Sequence, residues 1–150
     1  MAYSSPKQNR IAGRLAQLPF FCYATLAIAA TRLALLVLPL RVIKRSLWRL
    51  MSANSRSRKA RSLDQVLWAC RAGAKYSIAG TTCLATALVS QVLLLRHGYE
   101  ASLRIGVRRE DSGAFAAHAW LERDNVVIIG GPLSNVQSFT PLPDVERLLV

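Results

Sequence analysis

The chain has 150 residues, is 52% hydrophobic and carries a formal net charge of +12. That length suits one domain with a buried core. Three cysteines without a CxxC pair and only two histidines argue against a disulfide scaffold or a closed zinc site, and fit a reducing cytoplasm without metal or cofactor.

The charge is segregated. Residues 1–61 hold 12 Lys/Arg and no acid, whereas residues 62–150 hold eight of each sign. The basic part is also rich in Leu, Ala, Val and Ile, and Tyr23 and Trp48 are too isolated to stack bases. It therefore suits a membrane surface or a partner protein better than nucleic acid.

Residues 1–14 form a polar, basic tail, and residues 15–50 read as helical. Pro19 sits near the start of that segment, and Pro39 should break or kink it. The uncharged run Leu15–Thr31 lies too far from the start, and lacks the cleavage site, for a signal peptide. Extending it to the ~20 residues of a membrane span would enclose Arg32, at about 2.5 kcal/mol or more. A buried or partner-facing helix is the expectation for 15–50, with contact to a membrane surface as the other reading. Beyond Pro39, Leu40, Ile43, Leu47 and Leu50 share one side, opposite Arg41, Arg45 and Arg49.

The serine-rich basic stretch 52–61 marks the expected boundary between a helical lead-in, 1–61, and a domain at 62–150. Ser62 and Gln65 match a capping box for a helix carrying Leu63, Val66, Leu67 and Cys70 on one side. Residues 78–82 (IAGTT) predict a turn, and a second helix follows from Cys83 to His97, with Leu84, Leu88 and Leu95 on one side, ended by Gly98. Strands are predicted at 102–107, 116–122 and 126–129, the last two joined by an Asp124-Asn125 turn. From Gly130 onward three prolines predict loop, with a short helix at 144–150. Helices followed by a small antiparallel sheet define an α+β fold.

Two places carry chemistry. Cys83 begins a helix, where unpaired N–H groups and the helix dipole favour thiolate. The preceding Gly80, Thr81 and Thr82 let the backbone turn and bring N–H groups to an oxyanion, which makes Thr82 a candidate oxyanion or substrate contact. His118 lies on a strand between two alanines and is the candidate base. Trp120, two residues on, faces the same side and is a candidate substrate contact as well as a core residue. Cys70 reads as core, His97 as a residue of the helix end, and Arg108 and Arg109 as a solvated turn or a contact for an acidic peptide.

The stretch GTTCLATALVSQVLLLRHGYEASLRIGVRRED, followed by AHAWLE and the Asp124-Asn125 turn, resembles the leader peptidases of lasso-peptide biosynthesis. The resemblance covers about residues 62–131. It implies a transglutaminase-like (papain-like) cysteine peptidase core with Cys83 as nucleophile and His118 as base. It further implies removal of the leader from a ribosomal precursor, helped by a separate leader-recognition protein, before an ATP-dependent synthetase, the lasso cyclase, closes the ring. The family's third catalytic group is an Asp about twelve residues after the His, and that position here is Gly130. Asp124 lies at the hairpin tip, leaving Asn135, Gln137, Asp144 or a backbone carbonyl to orient the imidazole. The missing Asp keeps open a scaffold that has lost activity, and the likeness to transglutaminases keeps open an acyltransferase of the same fold. The expected location is cytoplasmic, with membrane association as a variant.

Overall fold

A computed structural model describes residues 17–52, 61–76 and 83–143. Helices α1 (Leu18–Val37) and α2 (Leu40–Ser52) come first. Pro19 occupies the first turn of α1, where its missing N–H has no intrahelical partner to lose. The break falls at Leu38, which is extended (φ −112°, ψ 143°), because Pro39 disfavours helical geometry in the residue before it.

Helix α3 (Leu63–Tyr76) starts with the reciprocal capping pair read from sequence. The Ser62 N–H donates to Gln65 Oε1 at 3.2 Å, and the Gln65 N–H to Ser62 Oγ at 3.4 Å. Helix α4 (Cys83–Arg96) ends at Gly98, whose φ of +86° is readily adopted by glycine.

Strands β1 (Ser102–Arg109), β2 (Phe115–Arg123) and β3 (Val126–Ile129) follow, then one helical turn, α5 (Leu133–Val136), and the two-residue strand β4 (Thr140–Pro141). The sheet is antiparallel in the order β3-β2-β1-β4. The tail is thus not all loop: Gly106 pairs with Pro141 and Val107 with Thr140. Asp124 (φ 51°) and Asn125 (φ 61°) turn the β2–β3 hairpin with both central residues left-handed, as a type I′ turn demands.

One core joins the helices to the sheet. Phe20, Ala24 and Ile28 of α1 meet Val66, Ala69 and Cys70 of α3, the body of α4, and Leu103, Ala119, Leu121 and Ile129 of the sheet. The residues of the lead-in helix are thus part of the same core as those beyond Ser62. Helix α4 is central, packed on α1, α2, α3 and the sheet. Its buried residues run continuously from Ala85 to Ser90 and resume at Leu93 and Leu94, so burial extends beyond the side that carries Leu84, Leu88 and Leu95. Arg71 ties α3 to the sheet by donating to the Ile128 carbonyl at 2.9 and 3.3 Å. His97 is half-buried: its Nδ1 accepts from the Arg61 N–H at 3.3 Å, and its ring meets Phe20 edge-on.

On β2, alternation sorts the two sheet faces. Ala119 and Leu121 pack in the main core beside α4, while Trp120 packs in a second cluster with Val136 and Phe139.

Candidate active site

His118 stands on the second face, opposite Gly106 of β1 in register. Its ring stacks 6.2 Å from the Trp120 ring and 5.3 Å from Phe139. Its Nε2 lies 2.6 Å from the Gly130 carbonyl oxygen. A carbonyl only accepts, so in this contact Nε2 carries the proton. In the neutral ring that leaves the Nδ1 lone pair as the basic site.

Gly130 makes this contact possible. Its φ is +124°, and a Cβ there would collide with the Trp120 Cβ and lie 2.9 Å from the Trp120 Cα. Only a residue without a side chain brings its backbone this close to β2. Thus the position where the resemblance calls for an Asp holds an acceptor of another kind, a main-chain oxygen. Of the groups considered for orienting His118, Asp124 instead faces solvent and pairs with Arg123 at 3.3 Å. Asn135 and Gln137 are exposed, and Asp144 lies outside the described residues.

Trp120 is 1% exposed. Its indole therefore supports His118 from beneath and offers no face to a peptide, which corrects the expectation of a groove residue. The indole N–H donates to Glu122 Oε1 at 2.7 Å, and Glu122 Oε2 pairs with Arg104 at 3.3 Å. Gly106 leaves room for the ring, since a Cβ there would sit 2.8 Å from Trp120 Cη2 and 2.9 Å from Phe139 Cβ. Phe139, within the proline-rich tail, had no periodic signal in the sequence. Its ring also carries the Arg108 guanidinium at 4.8 Å, and Arg108 donates to Ser138 Oγ at 2.9 Å.

Cys83 is the first residue of α4, half-buried against the main core. Gly80, Thr81 and Thr82 lie outside the described residues, and with them the suggested oxyanion or substrate contact of Thr82. Cys83 belongs to the helix layer and His118 to the second sheet face, and among the described residues no hydrogen bond joins them. A polar cleft of about 440 Å³ is bounded by Gly98, Glu100, Ser102, Glu122 and Asp124. It lies at the far end of α4, about 20 Å along the helix axis from Cys83, and is remote from the candidate nucleophile.

The other thiols differ in setting. Cys22 is exposed. Cys70 is fully buried, and burial pushes its thiol from the usual 9.0 up to about 11. Among the described residues no cluster of His, Cys, Asp or Glu could hold a metal ion.

Helices followed by a small antiparallel sheet, with α4 packed against that sheet, form the α+β arrangement of a transglutaminase-like core. The family model described as the transglutaminase-like superfamily matches residues 25–144, and the chain belongs to that superfamily. The match spans α1 to β4 and crosses the serine-rich stretch at 52–61. No curated protein and no solved structure shows a significant match to the chain.

Proposed function

We propose that this chain is a cysteine peptidase that removes the leader from a lasso-peptide precursor, with Cys83 as nucleophile and His118 as general base. The observation that supports the reading most is the hydrogen bond from His118 Nε2 to the Gly130 carbonyl. It fixes the tautomer in which Nδ1 accepts a proton, which is the task the family assigns to its Asp. A carbonyl does this without adding a negative charge.

The steps follow from these roles. The mechanism requires Cys83, in the helix layer, to reach His118 Nδ1 on the second sheet face; the imidazole then takes its proton, and the thiolate attacks the scissile carbonyl. The imidazolium then protonates the departing amine, which becomes the N-terminus of the core peptide. Water, deprotonated by the same nitrogen, hydrolyses the thioester and frees the leader carboxylate. In this reading the recognition protein delivers the leader, and the freed amine is the group that the cyclase joins to a side-chain carboxylate.

The test is incubation of the full chain with a lasso-peptide precursor and a leader-recognition protein, followed by mass spectrometry. Wild type is expected to release leader and core, and Cys83→Ala and His118→Ala to fall by about 10³-fold or more. Equal products from wild type and Cys83→Ala would sink the proposal, and a leader–amine adduct with added primary amine would convert it to acyl transfer.

A further inference from the structure

Helix α1 is apolar on the side away from the core as well as toward it. Phe20, Ala24, Ile28 and Thr31 are buried. The opposite side presents Leu26, Leu33, Leu36 and Val37 at 70, 65, 77 and 82% exposure. Tyr23 and Ala30 extend the same stripe. At 100° per residue these six positions fall within a sector of about 140°, wide enough for a continuous docking face. A helix surface left in water is normally polar, so this face requires a cover.

Charge decides which cover. Residues 1–61 carry 12 cationic side chains and no acid. Exposed Arg45 and Arg49 lie on α2, which follows α1 directly. A second copy placed on the stripe would bring together two basic segments that contain no acid of their own. An anionic bilayer surface offsets that charge while taking up the apolar side chains.

The packing also decides the orientation. By length and a mean hydropathy of 1.9, α1 could cross a membrane. Doing so would pull Phe20, Ala24 and Ile28 out of the core and draw Arg32 into the hydrocarbon. We propose that the outward face of α1, with the arginines of α2, docks the folded protein in the plane of an anionic lipid surface.

The test is co-sedimentation of the full chain with vesicles of phosphatidylcholine mixed with phosphatidylglycerol, against phosphatidylcholine alone. Binding is expected on the mixed vesicles and to weaken at high salt. The double variant Leu26→Glu/Leu33→Glu should bind at least about tenfold more weakly, from lost apolar insertion and added negative charge. The charge variant Arg45→Glu/Arg49→Glu keeps the stripe and should lose a similar factor on mixed vesicles. Thermal melting confirms that each variant folds. Equal pelleting of wild type and the leucine variant overturns the proposal. So does a wild-type dimer that the leucine variant splits into monomers while neither binds vesicles.

Discussion

At position 130 a side chain has no room, and the backbone there is left-handed. Gly130→Asp, which would restore the acid of the family pattern, is therefore expected to damage the site. Collision with Trp120 and the strain at φ +124° should together cost about 2 kcal/mol or more. Thermal melting should register a drop of several degrees, alongside lost cleavage. A variant with wild-type melting and raised activity would refute the carbonyl as the orienting group. Cys70 gives a pH-dependent counterpart. Its thiol is raised in the fold, from 9.0 to about 11, so the folded chain prefers the protonated form. The corresponding stability is fully present below pH 9 and disappears as pH climbs through about 11. Two units correspond to about 3 kcal/mol. Denaturant titration should show Cys70→Ala destabilised at neutral pH by its cavity, yet losing less stability than wild type between pH 9 and 11. Parallel pH dependences in the two proteins would discard this assignment. The sequence exposed Cys83 and His118 through a helix start and a strand, and it showed that an acid was absent at 130. It could not reveal that a main-chain oxygen stood there, because the contact depends on backbone approach and not on residue type. Trp120 was placed on the His118 face by alternation, but its burial comes from Phe139 and Val136, which arrive from a tail with no readable period.

Element boundaries followed local chemistry where that chemistry was strong. The capping pair at Ser62 and Gln65, the proline break at Leu38 and the glycine stop at Gly98 all act within a few residues. The β2–β3 turn is of the same kind. Asn125 sits at φ 61°, which asparagine tolerates and a β-branched residue does not. Asn125→Val should destabilise by about 1–2 kcal/mol, and Asn125→Gly should match or slightly exceed wild type in denaturant titrations. If valine is tolerated as well as glycine, the left-handed turn is not what sets the hairpin register. Strand β4 was illegible because two residues form it and its partner, β1, lies more than thirty positions earlier. In helix α4 the sequence sets Leu84, Leu88 and Leu95 on one side, and its neighbours on several sides leave none of its residues fully exposed.

The whole molecule depends on α1. Removing residues 1–61 deletes Phe20, Ala24 and Ile28 from the core and uncovers the faces of α3 and α4 that they cover. At about 1.5–3 kcal/mol for each large side chain, Phe20 and Ile28 alone account for at least about 3 kcal/mol, a sizeable part of a domain's stability. A chain beginning at Ser62 should aggregate or melt well below full length in circular dichroism and size-exclusion runs. A soluble fragment with unchanged melting would show the remaining fold to be self-sufficient.

The rims of the sheet carry a consequence of their own. On one side Arg71 occupies the Ile128 carbonyl, and on the other β4 is two residues long and ends in a proline without an N–H. Both features blunt the ladder where a foreign strand would otherwise zip on. Four strands can thus stay a private sheet in a crowded cell, and a lost guanidinium at 71 would open one rim to fibre-like stacking.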